Sequence, residues 1–352
     1  MNDAVGVVRR ERVKLLTSIS GLQVDLVGLY QGTEKDILIL LDIIASRIEA
    51  KGKSNISAHE LLRQIQLEAL LAQTRREINK VAPKAVDKVM KGKVQAIDGA
   101  VATTEKIGAE VGVRFNRLNT ETLKQFAYLS KQGSPLADLF TSLGDDVSNV
   151  IRQTIFNGIA QKSNPRVVAS KLAKTVQVLS KWDAEVIART EMMRANRQTT
   201  IENYRYNSSV ISGWRWMSNK SLRTCALCLG QDGKVRKLKE AFNSHPACRC
   251  TCVPVIVGRD DVDYGILGQD FFDQQDEAGK LEILGGSKTL RHLLTHTDLK
   301  LADISAYEPS KFGPTLSQVP LRKLVLQGKI TMNQLTEARG GKFLAPHASK
   351  LD

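Results

Sequence analysis

The sequence predicts an α+β protein with a mainly helical N-terminal region, a helix-plus-small-antiparallel-sheet domain carrying a zinc knuckle, and a loosely built basic C-terminal tail. Three observations predict this fold. Apolar residues recur every three or four positions through most of the first half of the 352-residue chain. Two β-branched and aromatic segments flank a cluster of cysteines, and glycine and proline interrupt the chain after Gly258. We therefore place domains at 1–132, 133–258 and 259–352.

Helical periodicity begins close to the N-terminus. It predicts helices over 7–30 and 34–50, with Thr33 and Glu34 as the start signal of the second helix. Ser57 and Glu60 match a capping box, in which the serine side chain and the glutamate satisfy free amides at a helix start. The apolar residues behind this box predict a long helical stretch up to about residue 116.

Proline and glycine mark the helix boundaries further along the chain. Pro83 predicts a break in the helical stretch, and Gly133-Ser-Pro135 predicts a turn. Ser163-Asn164-Pro165 predicts a helix start, since Ser or Asn caps free amides and proline fits the first helical position. The helices that these signals delimit are predicted over 120–132, 136–161, 165–178 and 182–206.

The pattern changes after these helices. Val210–Met217 and Val253–Val257 are rich in β-branched and aromatic residues and predict two strands on either side of the cysteines. Lysine and arginine greatly outnumber acidic residues over 309–350, which predicts a basic, partly extended arm.

The composition restricts the class of protein. A hydrophobic fraction of 42% supports real cores and argues against a disordered chain. No segment reaches the roughly 20 uninterrupted apolar residues of a membrane helix, and no secretory signal is recognisable, so we expect no membrane partner and a reducing compartment. The net charge of +14 predicts a negatively charged partner, most often nucleic acid, although crowded assembly surfaces are also basic.

All five cysteines lie between Cys225 and Cys252. Clustered cysteines in a reducing compartment point to a metal, and the two-residue gap between Cys225 and Cys228 is typical of a zinc knuckle. His245, Cys248 and Cys250 supply further ligands. A tetrahedral zinc needs four of these five donors. The spacing leaves open which two of His245, Cys248 and Cys250 complete the site.

Two other interpretations of the cysteines compete with a metal site. The cysteines would form disulfides, or they would be free thiols packed as small hydrophobic groups. If the site is metallic, a structural role is favoured, because a catalytic zinc keeps an open position and a general base. Asp232 lies in Gln231-Asp-Gly-Lys234, where Asp-Gly predicts a hairpin turn.

Basic residues surround the predicted knuckle and are candidates for holding DNA phosphates, the alternative being a solvated charged rim. They are Lys220, Arg223, Lys234, Arg236, Lys237 and Lys239. Trp214 and Trp216 share one strand face and would either stack on bases or cover a core.

An ordered series of motifs spans about residues 150 to 257. It comprises Ala188-Arg-Thr-Glu191, Ala195-Asn196, Tyr204, Gly213-Trp214, Thr224-Cys225, Cys228, Asp232-Gly233, His245-Pro-Ala-Cys-Arg-Cys250 and Val253-Pro254. This series resembles the minor head proteins of tailed bacteriophages, the head morphogenesis family of the phage Mu protein F type. In that family the His-Pro and Cys-Arg-Cys element is typical, whereas the cysteines of the first pair vary. Cys252 departs from the usual pattern and is taken as the spare thiol.

The resemblance implies a virion protein made in the host cytoplasm and packaged into the head interior near the portal vertex. It implies binding to the portal protein, with capsid or scaffold proteins as further partners, and contact without sequence preference with the packaged double-stranded DNA. No enzymatic activity is expected. Arg189 and Glu191 would suggest a transferase or nuclease centre, but they are interpreted as structural residues, since buried or interfacial ion pairs serve structure far more often. The alternative function is a zinc-containing nuclease, or another nucleic-acid-binding enzyme, in which His245 is catalytic.

Overall fold

The computed structural model describes residues 3–51, 66–119, 121, 136–161, 165–259 and 262–340. Helices dominate its first half. They are α1 (Ala4–Lys51), α2 (Leu67–Asn79), α3 (Ala82–Val111), α4 (Leu136–Ala160) and α5 (Pro165–Tyr206). The breaks predicted at Pro83 and Pro165 are confirmed, because Pro83 lies in the first turn of α3 and Pro165 begins α5.

Two predicted interruptions are wrong. The chain does not break at Thr33, and α1 is one helix of 48 residues. The Thr33 hydroxyl donates to the Tyr30 carbonyl at 2.9 Å within the helix, instead of capping a new one. The helices predicted over 165–178 and 182–206 are likewise the single helix α5. Packing between α1 and α5 favours both long helices over weak local stop signals.

The helices pack into a bundle in which α5 contacts α1, α3 and α4. Its core includes Leu26, Val89, Phe140 and Ile187, all almost fully buried. Helices α3 and α5 approach closely at Gly92, where an added Cβ would lie 2.9 Å from the sulfur of Met192. The absence of a side chain at this position permits that close approach.

A small antiparallel sheet follows the bundle, as the sequence predicts. Its strands are β1 (Ile211–Met217), β2 (Val235–Lys237) and β3 (Thr251–Ile256), with β1 in the centre. Trp216 of β1 pairs with Cys252 of β3. The short helix α6 (Ala226–Gln231) lies between β1 and β2 along the chain. The sheet packs on the first turns of α1, where Val5 and Val8 share a core with Trp214.

The two sheet tryptophans belong to this core. Trp214 and Trp216 are each 1% exposed, and both stack on Phe242, whose ring centroid lies 3.9 Å from that of Trp216. They therefore cover a core, and they are not available to stack on nucleic-acid bases.

The C-terminal region is a packed unit. It contains α7 (Gly268–Asp273), α8 (Glu277–Ile283), α9 (Lys288–His296), a hairpin of β4 (Ser305–Glu308) and β5 (Thr315–Gln318), α10 (Leu321–Leu326) and α11 (Met332–Ala338). These elements bury a common core that includes Leu290, Leu293, Ile304 and Leu324 and that reaches Leu229 of α6. The prediction of a loosely built tail is therefore wrong up to residue 340, because widely spaced aliphatic residues of short segments meet in one core.

Several sequence predictions lie outside the described residues. They are the capping box at Ser57 and Glu60, almost all of the helix over 120–132, the turn at 133–135, the cap residues Ser163 and Asn164, and the arm beyond 340. Among the described helices, none combines the length and the apolar character that crossing a membrane requires.

Candidate metal centre

Two short segments bring the predicted ligands together. Cys225 is the residue before the first turn of α6, and Cys228 lies within that helix. His245, Cys248 and Cys250 lie in the loop that leads into β3. Because β1 pairs with β3 and α6 follows β1, the two segments meet at one end of the sheet. The sequence separation of about 20 residues between the two ligand groups is closed by this topology.

The distances between these side chains fit a single tetrahedral ion. The Nε2 atom of His245 lies 3.3 Å from Sγ of Cys225 and 3.1 Å from Sγ of Cys228. The sulfurs of Cys228 and Cys248 lie 3.6 Å apart. Around a zinc ion, two sulfur ligands are separated by about 3.8 Å and a sulfur and a nitrogen by about 3.6 Å, given its bond lengths. The cluster can therefore hold a metal with small adjustments.

The possible ligands form two overlapping groups of three. Cys225, Cys228 and His245 make one group, and Cys228, Cys248 and Cys250 make the other, with the ligand atoms of each group within 4.8 Å of one another. Cys228 is common to both groups. All five cysteines are free thiols in the structure.

Cys252 belongs to neither group. It lies in β3 opposite Trp216, and it is 1% exposed. Burial raises the pKa of the Cys252 thiol to about 12. This cysteine therefore behaves as a small buried hydrophobic residue, in agreement with its interpretation as the spare thiol.

The imidazole of His245 is oriented for ligation through Nε2. Its Nδ1 lies 2.7 Å from the carbonyl oxygen of Pro246, which makes Nδ1 the hydrogen-bond donor. Such a contact fixes the tautomer and directs the Nε2 lone pair toward the sulfurs, as is common among metal-ligating histidines. Burial lowers the pKa of His245, but hydrogen bonds with Cys225 and Cys248 outweigh burial and raise it to about 11. Without a metal, Nε2 therefore carries a proton at neutral pH, and a bound ion would displace that proton to reach the lone pair.

The thiols of the cluster differ in acidity. A hydrogen bond from Cys228 lowers the pKa of Cys225 to about 5. Burial opposes ionisation of Cys248, but hydrogen bonds from Cys228 and Cys250 outweigh it and hold the Cys248 pKa well below its usual value. The backbone amide of Cys250 also donates to Cys248 Sγ at 3.4 Å. Thiolates are the ligand form of cysteine, so these contacts prepare Cys225 and Cys248 for a cation.

A buried arginine that sequence reasoning missed holds the ligand loop. Arg197 of α5 is 3% exposed. Its Nε donates to the Cys250 carbonyl at 2.8 Å, and its Nη2 donates to the Cys248 carbonyl at 2.9 Å. Its Nη1 donates to the hydroxyl of Ser244 at 2.7 Å. One guanidinium thus satisfies two carbonyls of the loop, and its position one helical turn after Met193 gave no signal of this role.

A second contact joins the loop to α5. The backbone amide of Ala247 donates to the Thr190 hydroxyl at 2.9 Å. Ala247 has a φ of 58°, in the left-handed region that residues with a side chain rarely adopt. The hydrogen bond to Thr190 stabilises this tight turn between His245 and Cys248, which brings both side chains to the same cluster.

The six predicted phosphate-binding residues occupy different environments. Lys220 is largely buried and pairs with Asp232 at 3.0 Å, and Arg236 donates to Gln231 at 2.8 Å. Of the other four, Lys234 is half-buried, and Arg223, Lys237 and Lys239 are exposed. The structure therefore does not gather the six into one surface of free charges.

The turn predicted over Gln231-Asp-Gly-Lys234 is confirmed, because the Lys234 amide donates to the Gln231 carbonyl at 3.1 Å, but this turn does not connect two strands as a hairpin. Asp232 follows α6, and the chain then enters β2 through Gly233, whose φ is 82°. The Asp232 carboxylate accepts a hydrogen bond of 2.6 Å from the Ser218 amide, which fixes the end of β1 beside α6. The helix between β1 and β2 replaces the hairpin.

Glu191 and Arg189 do not pair with each other. Glu191 is 1% exposed and pairs with Lys93 of α3 at 3.2 Å and with Arg194 at 2.8 Å. Arg189 donates to Gln23 of α1 at 2.9 Å. Both side chains therefore join α5 to neighbouring helices of the bundle.

The comparison with protein families gives one match. Residues 146–253 match the family described as Phage Mu protein F like protein. The matched segment contains the whole candidate metal centre, and it covers the motifs of the resemblance to phage head morphogenesis proteins from Ala188 to Val253, so that assignment is confirmed for this segment. Searches of curated proteins and of solved structures found no match.

Proposed function

Starting from the match of residues 146–253 to the phage Mu protein F family, we propose that this chain is a minor head protein of a tailed phage. Its role is to bind the portal protein, together with capsid or scaffold proteins, during procapsid assembly and DNA packaging or ejection. In this role it resides in the virion, inside the head near the portal vertex. The family match is the observation that carries the proposal.

The metal centre serves this function as a structural staple. It joins α6 to the loop before β3, and Arg197 ties that loop to α5. The metal is zinc, since thiolate and imidazole donors in a tetrahedral arrangement suit this ion. The ligands are Cys225, Cys228, His245 and Cys248, because Cys248 carries both the low pKa and the amide hydrogen bond.

Elemental analysis of the full chain, purified without chelator, tests the staple. We expect one zinc per chain in the wild type and in Cys252→Ser. Cys228→Ser should lose the metal, because this residue belongs to both ligand groups. Cys248→Ser should lose zinc more completely than Cys250→Ser. Clearly less than one zinc in the wild type contradicts the staple, and an equal loss in the last two variants contradicts the choice of Cys248.

Binding to the portal is tested by co-sedimentation. Purified chain is mixed with procapsids that contain portal protein and with procapsids assembled without it. We expect the chain to sediment with the first and to remain in the supernatant with the second. Equal recovery with both particles, or with neither, contradicts portal binding.

DNA binding without sequence preference completes the proposal, and the net charge of +14 supports it. No catalytic step is included: the two ligand groups among the described residues contain only thiols and an imidazole, with no carboxylate to act as a general base. Incubation with plasmid DNA and Mg²⁺ or Mn²⁺ tests this point. Cleavage that disappears in a folded His245→Ala variant would establish the nuclease alternative.

A further inference from the structure

Three arginines from separate segments converge beside the metal centre. Arg189 lies on α5, Arg223 precedes α6, and Arg249 lies between Cys248 and Cys250. The hydrogen bond from Ala247 to Thr190 places the Arg249 loop beside the turn of α5 that carries Arg189. The contact of Cys225 with His245 at 3.3 Å brings the Arg223 segment to the same loop.

In this arginine triad, the positive charges of Arg249 and Arg223 both act on Arg189. Burial lowers the pKa of Arg189, the positive charge of Arg249 lowers it further, Glu185 raises it, and Arg223 lowers it again. Arg189 therefore lies within electrostatic reach of Arg223 and Arg249, although the three residues lie far apart in sequence. Like charges that converge in a partly desolvated region cost free energy unless an anion joins them.

Two members of the triad are available to such an anion. Arg223 is exposed and Arg249 is half-buried. Within the ranges that the structure describes, neither makes a hydrogen bond or ion pair to another residue, whereas Arg189 donates to Gln23 at 2.9 Å. Glu185 is the one carboxylate that acts on Arg189 among the described groups. This arrangement contrasts with Lys220, whose charge is already matched by Asp232 at 3.0 Å.

We propose that Arg189, Arg223 and Arg249 form a binding site for the backbone phosphates of double-stranded DNA. The planar guanidinium presents paired donors that match phosphate oxygens, and the anion removes the repulsion between the three cations. The site names the residues through which the proposed DNA binding acts, and it rests on that part of the proposed function. Because the loops of Arg223 and Arg249 carry zinc ligands, the staple also holds the triad together.

The test measures equilibrium binding of a random-sequence duplex by the full chain at several salt concentrations. The test variant is Arg223→Gln/Arg249→Gln. The matched control is Lys288→Gln/Lys300→Gln, which removes the same charge from exposed residues of the C-terminal unit that are not candidates for holding phosphates. The binding constant K falls as salt rises, and each lost phosphate contact makes the slope of log K against log salt shallower by about 0.9. We expect a slope that is shallower by about 2 in the test variant and an unchanged slope in the control.

This change has a measurable size. Between about 50 and 200 mM salt, the wild-type Kd should rise about tenfold more than the Kd of the test variant. Zinc content and thermal unfolding verify that the test variant is folded. If the substitution at Arg249 displaces zinc, Arg189→Gln/Arg223→Gln replaces it, because neither residue lies between two metal ligands.

Equal slopes in the wild type and the test variant, or an equal loss in test and control, overturn the triad as the phosphate site. In that case DNA binding itself stands. No binding of duplex by the wild type overturns both the site and the DNA part of the proposed function, while co-sedimentation with procapsids still decides portal binding. A parallel experiment with polyglutamate in place of DNA distinguishes the two kinds of anionic ligand. If the chain binds polyglutamate through the triad but does not bind the duplex, the inference is overturned in favour of an acidic protein partner.

Discussion

Arg197 donates a hydrogen bond of 2.8 Å to the carbonyl oxygen of Cys250, from a helix to a loop 53 residues further along the chain. The same guanidinium reaches the Cys248 carbonyl and stacks over Phe242 at 4.6 Å. It is therefore the link between the helical bundle, the metal-binding loop and the aromatic core of the sheet. A buried cation in such a position stabilises the fold only while all of its partners are present.

Replacing this arginine should destabilise the protein strongly. Arg197→Lys keeps the charge but cannot satisfy both carbonyls and the Ser244 hydroxyl, so we expect the free energy of unfolding to fall by about 3 kcal/mol. Urea unfolding followed by circular dichroism measures this loss. Arg205→Lys is the control, because Arg205 is exposed and pairs with Glu202 on the same helix. It should change stability by about 0.5 kcal/mol or less; equal effects would contradict the linking role.

Removing zinc should loosen the sheet more than the bundle. A strong chelator should lower the Tm by about 10 °C or more, since a structural zinc contributes several kcal/mol and each shifts the Tm by about 2–4 °C in a chain of this size. The emission of Trp214 and Trp216 should change, while far-UV circular dichroism of the helices persists. Added zinc should restore both signals. A Tm that is the same with and without chelator is incompatible with a staple.

The buried pair of Lys93 and Glu191 predicts a coupled effect. Glu191→Gln leaves the Lys93 charge buried without its counterion, so we expect a loss of about 3 kcal/mol. Lys93→Met should cost less, because Arg194 still pairs with Glu191. The double variant should lose about 1 kcal/mol less of its free energy of unfolding than the sum of the losses in the two single variants.

The control for this cycle lies on the same helix as Lys93. Lys91 forms an exposed pair with Asp87 at 2.8 Å, and Lys91→Met should leave stability within about 0.5 kcal/mol of the wild type. Strictly additive losses for Lys93 and Glu191 in urea unfolding would show that the two charges do not interact.

Gly230 fixes the contact between α6 and the C-terminal unit. An added Cβ would lie 2.3 Å from the carbonyl oxygen of Leu301, so the two backbones would have to separate. We expect Gly230→Ala to lower the free energy of unfolding by about 2 kcal/mol or more. Gly99→Ala is the matched control, because nothing lies within 4 Å of its Cβ position and it is exposed on α3. That change should raise stability by about 0.5–1 kcal/mol in the same urea measurement, and a neutral Gly230→Ala would show that the C-terminal unit is not tightly packed against α6.

Local sequence patterns were sufficient where one residue type decides the local conformation. Proline at positions 83 and 165 marks a helix start because it lacks an amide hydrogen and fixes φ. Local patterns failed at Thr33, because a threonine hydroxyl can either cap a new helix or hydrogen-bond to a carbonyl of the preceding turn in an existing helix. Only the packing of α1 on α5 decides between the two.

The C-terminal unit shows the same limit at longer range. Its helices are short and separated by glycine and proline, so each has the local pattern of a loose segment. Their stability comes from a core that residues far apart in sequence share, such as Leu229 and Leu324. The periodicity of a single short helix does not predict which distant residues will pack against it.

The sequence by itself determined that this chain has a helical first half, a small sheet, and a cluster of thiols and one imidazole at knuckle spacing, with motifs that resemble phage head morphogenesis proteins. Periodicity and ligand spacing are local properties, which is why they could be recognised directly. Only the tertiary structure decided that Arg197 supports the ligand loop, that Lys220 is neutralised by Asp232, and that Arg189, Arg223 and Arg249 converge. Burial and charge pairing depend on which segments contact each other in the folded chain, and those contacts are determined by the tertiary structure.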